Sequence, residues 1–129
     1  MKNKIDGHTH TELCPHGSGE PTAKMIKRAI QLGFDEYHIT EHAPLPERFM
    51  QTYSGDPENV ATASLRFDQL DQYFALTNKL RKQFADQIKI TVGFEVDYLV
   101  GYEKEIRQFL NQVGPKTSHN ILSVHYLPT

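Results

Sequence analysis

Ile88-Lys89-Ile90-Thr91-Val92-Gly93-Phe94-Glu95 is the stretch whose reading decides the fold. Its apolar residues fall at 88, 90, 92 and 94, the period of an extended chain that buries one face. The run ends on a carboxylate. On its N-terminal side Leu70, Tyr73, Phe74, Thr77, Leu80 and Phe84 recur at helical spacing and predict an amphipathic helix over 64–86. On its C-terminal side Ile106, Phe109 and Leu110 predict a helix over 102–111, stopped by Gly114-Pro115.

Further out the alternation continues. Lys4 to His8 reads as a first strand. Gly17-Ser18-Gly19-Glu20-Pro21 then breaks the chain before a helix whose apolar face is Met25, Ile26, Ala29, Ile30 and Leu32, with Gly33 as its C′ residue. Phe34 to Thr40 is a second strand ending at Glu41-His42, and Asn120 to Val124 a fourth ending at His125. Residues 43–63, with Pro44, Pro46, Gly55 and Pro57, show no sustained period and are long for a connection within a compact domain. The order β-α-β-α-β-α-β implies an α/β fold with parallel strands. A closed barrel of this kind needs about 250 residues, so the expectation is about half of one, truncated after the fourth strand.

The same reading collects chemistry at one end. Asp6-Gly7-His8-Thr9-His10 places two imidazoles, separated by one residue, on one side of an ending strand. Such a pair can hold one cation. His42, Glu95 and His125 fall at the ends of the other strands and His16 in the following Gly/Pro loop, which gathers candidate ligands on the face where barrel enzymes build their sites. His38 reads as an ordinary strand histidine, His119 as a strand-start residue, and Cys14 as an inert small hydrophobe. Glu41 and Asp97 flank candidate ligands and either hold an imidazole N–H or are simply solvated.

Composition sets the outer limits. A chain of 129 residues, 38% apolar and with net charge −2, is one globular domain's worth and carries no basic surface for nucleic acid. It has no apolar run long enough for a membrane span and no secretory leader. One cysteine excludes an internal disulfide and suits a reducing compartment, so a cytoplasmic location is expected. An open half-barrel leaves a strand edge uncovered and favours dimers or larger homo-oligomers.

Taken in order, Asp6-Gly7-His8-Thr9-His10, Cys14-Pro15-His16-Gly17-Ser18-Gly19, Thr40-Glu41-His42, Gly93-Phe94-Glu95-Val96-Asp97 and Ser123-Val124-His125 resemble the polymerase-and-histidinol-phosphatase (PHP) family, and within it the N-terminal half of its histidinol-phosphatase branch. The resemblance implies a distorted (β/α)7 TIM-like barrel with up to three divalent transition-metal ions (zinc, manganese or iron), whose bridging hydroxide attacks a phosphomonoester. By the same resemblance His8 and His10 would hold the first ion, Glu95 would bridge it to a second held by His125, and His16 with His42 would hold the third. Further family ligands and phosphate-gripping arginines would lie beyond Thr129. The implied activity is hydrolysis of L-histidinol phosphate in histidine biosynthesis, or an inactive fragment of that enzyme. Alternatives are a PHP-type phosphodiesterase or exonuclease, a carbon-attacking amidohydrolase, and a non-catalytic metal-binding module.

Overall fold

The computed structural model describes residues 4–15 and 17–125. Four strands form one sheet in the order β1 (Ile5–Thr9), β2 (Glu36–His42), β3 (Lys89–Asp97) and β4 (Ile121–Ser123), and every neighbouring pair is parallel. Sequential neighbours in a parallel sheet are what a curling barrel wall requires.

β3 organises the packing. Ile90, Val92, Phe94 and Val96 are buried. Phe94 meets the rings of Tyr73 at 5.0 Å and Phe74 at 5.9 Å from α4 (Leu70–Gln83), and that of Phe109 at 5.2 Å from α5 (Glu103–Val113). The even-numbered side chains of β3 therefore face the helices, and alternation turns Gly93, Glu95 and Asp97 to the opposite face. In-register pairing with β2 puts His38, Thr40 and His42 on that same face.

α1 (Thr22–Gln31) buries Thr22, Ile26 and Ala29. It ends in a Schellman turn: Gly33 N–H bonds the Ile30 carbonyl at 3.1 Å and Phe34 N–H the Ala29 carbonyl at 3.0 Å, with Gly33 at φ +84°. Leu32, expected on the apolar face, is instead exposed at the helix end.

The segment 43–63 differs from its expectation as a loop. It contains two short helices, α2 (Glu47–Thr52) and α3 (Pro57–Ala61), the second opened by Asp56, whose side chain accepts from Glu58 N–H at 3.0 Å with Pro57 in the first turn. Neither helix is long enough to display a period, which is why periodicity missed both. The helix predicted over 64–86 begins as α-helix only at Leu70, after a 3-10 turn at Phe67–Gln69. Of its expected stripe, Leu70, Tyr73, Thr77 and Leu80 are buried within the helix and Phe84 at its C-cap, while Phe74 is partly buried.

Gly93 has a steric role. A Cβ there would lie 1.4 Å from the His119 carbonyl oxygen. The chain entering β4 runs alongside β3 and presses against Gly93, with Ser118 N–H on the Val92 carbonyl at 2.8 Å and the Asn120 side chain accepting from Phe94 N–H at 2.8 Å.

Candidate metal centre

Glu95 lies on β3 near its C-terminal end and is 4% exposed. Four imidazoles surround its carboxylate. His8 Nε2 contacts Oε1, and His10 Nε2 is 4.0 Å from the same oxygen. His42 Nδ1 lies 2.9 Å from Oε2 and His125 Nε2 3.7 Å from it. The His10 and His42 rings stack at 4.2 Å with 12° between their planes.

Local backbone geometry produces the convergence. β1 is out of step with β2 between Asp6 and Thr9: Asp6 pairs with Tyr37 and Thr9 with Ile39, so β1 carries one extra residue there. A bulge of this kind re-aims side chains, and here His8 and His10 both reach Glu95. His42 is the last residue of β2 and the register partner of Glu95. His125 follows β4, which pairs with the last residues of β3.

Two carboxylates behind the cluster fix ring orientation. Glu41, fully buried, accepts from Thr11 N–H at 2.9 Å, from the Thr11 hydroxyl and from His42 N–H at 3.1 Å, and its Oε1 is 3.1 Å from His10 Nδ1. Burial alone would raise the Glu41 carboxyl, but the hydrogen bonds from His10, Thr11 and the His42 backbone hold it below the usual carboxylate value. The same contact with Glu41 lifts the His10 imidazole above its ordinary value against the cost of burial. Asp97 contacts His125 Nδ1 in the same way. Both carboxylates thus hold an imidazole edge, the first of the two roles the sequence left open for them.

Metal ions suit these donors. Glu95 Oε2 is buried and accepts no hydrogen bond among the described residues, with His42 Nδ1 2.9 Å away. Ligands bound at about 2.0–2.3 Å to one tetrahedral ion stand roughly 3–4 Å apart, close to the separations of the His10, His42 and His125 nitrogens from the Glu95 oxygens. His8, His10 and Glu95 offer donor atoms all within 4.8 Å of one another, as do His10, Cys14, Glu41 and His42. Five sequence-predicted residues, His8, His10, His42, Glu95 and His125, are brought together; His16 lies outside the described residues. His38, which the sequence left out, pairs instead with Glu36 at 3.0 Å. Thr11 was not anticipated, and a hydroxyl beside a histidine pair carries no signal of its own in sequence. Beside His8 and His10 opens a cleft of about 440 Å³ whose walls include Thr11, Ser18 and Arg28.

The PHP domain matches residues 6–128. The chain belongs to the PHP family. This PHP chain is 39% identical over 126 residues to the histidinol-phosphatase of Bacillus subtilis (strain 168), covering 98% of this chain and 45% of that protein. A Listeria monocytogenes structure assigned as histidinol phosphatase hisK superposes with TM-score 0.93 at 51% identity, over 96% of this chain and 46% of that one. The histidinol phosphate phosphatase of Lactococcus lactis subsp. lactis Il1403, solved with zinc, L-histidinol and phosphate, superposes with TM-score 0.73 at 26% identity, over 97% of this chain and 41% of that one. The PHP chain therefore spans slightly less than half the length of each of these relatives, and its four parallel strands are part of the TIM-like barrel wall.

Proposed function

We propose that residues 1–129 form the N-terminal part of a PHP domain that hydrolyses the phosphomonoester L-histidinol phosphate to L-histidinol and phosphate, with divalent ions held by His8, His10, His42, Glu95 and His125, and by His16. The observation that carries this reading is the buried Glu95 carboxylate ringed by four imidazoles, in a chain that resembles a phosphatase solved with zinc, L-histidinol and phosphate.

Divalent ions held by these residues would acidify a bound water and neutralise charge on phosphoryl oxygens. The residues of the chain do the rest. Glu95 and His42 form a buried floor, while His8 and His125, with side chains 50% and 48% exposed, form a rim open to an incoming ester. Glu41 and Asp97 hold His10 and His125 so that each presents its other nitrogen toward Glu95. The cleft of about 440 Å³ beside the rim is of small-molecule size. Among the described residues no helix is long and apolar enough to cross a membrane. The single cysteine supports a cytoplasmic setting.

The test is phosphate release from L-histidinol phosphate, measured with zinc, manganese or ferrous iron, by this chain and by a chimera joining it to the remaining part of the Bacillus subtilis relative. Metal-dependent turnover by the chimera, lost when Glu95 becomes Ala, is expected. A metal-loaded chimera that cleaves single-stranded DNA but not L-histidinol phosphate would favour the nuclease branch instead.

A further inference from the structure

Among the described residues Lys24, Arg48, Arg66 and Lys89 pair with carboxylates. Arg81 and Lys116 pair with none there, yet both face one cleft. We infer that this cleft, between α4 and the link from α5 to β4, is a binding site for a small oxyanion of the phosphate class. It stands apart from the metal centre, none of whose residues line it.

The walls of the cleft, about 380 Å³ in volume, carry two cations, two hydroxyls and a side-chain amide: Arg81 and Asn78 from α4, and Lys116, Thr117 and Ser118 from the link. No carboxylate lines it. The sequence makes this a local property, because residues 72–85 and 106–125 contain no Asp or Glu although the whole chain has net charge −2. An anion arriving there meets no like charge from either wall. A cation finds no ligand, since guanidinium and ammonium groups only donate.

The donors are also held in place. Arg81 Nε donates to the Ile90 carbonyl of β3 at 3.3 Å, which anchors the guanidinium and leaves both terminal nitrogens without protein partners among the described residues. Such a planar group suits the oxygens of a phosphate. Lys116 Nζ lies 5.2 Å from the centre of the Phe74 ring, a cation–π contact that keeps the ammonium beside the cleft. In the link, the 3-10 turn Gly114–Lys116 is closed by Thr117 N–H on the Gly114 carbonyl at 3.2 Å, and Ser118 N–H is fixed to the Val92 carbonyl at 2.8 Å. Thr117 Oγ1 accepts from the Asn120 side-chain amide at 3.1 Å, so its own proton is left to donate. Both walls pack about β3, which is paired on either side, so the cleft does not depend on the open edges of β1 and β4.

The test titrates the metal-free chain with inorganic phosphate, at ionic strength held constant with chloride, and follows the backbone amides of Thr117 and Ser118 and the Arg81 Nε–H by NMR. Saturable shifts centred on these groups are expected, weakened about tenfold or more in each of Arg81→Gln and Lys116→Gln. Both side chains are exposed, so neither change removes a core contact; the chloride comparison decides by itself if a variant fails to fold. Ribose 5-phosphate separates the sources of the anion. Tighter binding than inorganic phosphate assigns the site to the phosphoryl group of a larger metabolite, and equal or weaker binding assigns it to free phosphate. Shifts that chloride alone reproduces, or that survive unchanged in both variants, overturn the site and leave the metal-centre reading untouched. Saturation by a single-stranded oligonucleotide at far lower concentration than phosphate also overturns it, because the patch would then be a polynucleotide surface.

Discussion

His38 and His42 lie on the same face of β2, four residues or roughly 13 Å apart along the strand, yet their surroundings differ in kind. His38 meets one carboxylate, Glu36, at 3.0 Å, and that carboxylate also has Lys89 Nζ at 3.9 Å. Its other ring neighbour is His119 at 4.6 Å. At His42 the proportions invert: four imidazoles converge on Glu95, and the two remaining carboxylates stand behind the rings rather than among them. Histidine density is common to both regions. What separates them is several imidazole nitrogens aimed at one buried carboxylate that has an oxygen accepting no hydrogen bond among the described residues. Gly93 lies between the two, and the His119–Asn120 backbone running beside β3 packs against it.

The largest effect expected from this contrast is on bound metal. Replacing His8 and His10 together with Ala should remove most of it, whereas His38→Ala should leave metal content unchanged, both read by elemental analysis of purified protein. Equal losses from the two variants would erase the distinction between the regions.

Gly93→Ala tests the divider. The added methyl collides with backbone that is pinned by Ser118 and Asn120, so the change should cost about 3 kcal/mol or more, beyond ordinary overpacking. It should appear as a lower denaturation midpoint together with weaker metal binding, since His125 follows the displaced strand. A variant as stable as the parent would mean that the contact at Gly93 is not tight.

A smaller effect is expected from Glu41→Gln, which keeps the shape but removes the charge that holds His10. Metal affinity should fall about 10–100-fold, the usual consequence of losing a carboxylate behind a ligand histidine. The equivalent change Glu36→Gln beside His38 should not affect it.

The pH dependence sharpens the comparison further. In the metal-free protein, His10 is raised above 6.5 and Glu41 lowered below 4.5. The raised histidine stabilises fully below pH 6.5, and that contribution is lost as pH rises through its folded value. The lowered carboxyl stabilises fully above pH 4.5, and that contribution is lost as pH falls through its folded value. The Glu41–His10 pair therefore stabilises the metal-free chain most between pH 4.5 and 6.5. In the metal-loaded chain protons compete for imidazole, and metal should be released below about pH 6. Thermal melts with and without metal should converge as pH falls through 6, and parallel curves would contradict this.

The strands and the positions of the candidate ligands that converge were legible because each rests on a local pattern: the alternation into Glu95, the His-x-His pair, and Gly33 past the end of a helical period. What escaped the sequence depended on distant neighbours. α2 and α3 are too short to show periodicity, although Asp56-Pro57 is a readable helix start. The β1 bulge that turns His8 and His10 toward Glu95 is a property of the pairing with β2, not of β1.

The central claim is that metal gathers at Glu95 and not at the other histidine cluster. Anomalous diffraction from crystals grown with zinc, collected on both sides of the zinc absorption edge, tests it most directly. The account predicts anomalous density among Glu95, His8, His10 and His42. Density between His38 and His119, or none near Glu95 in a crystal that holds zinc elsewhere, would contradict it.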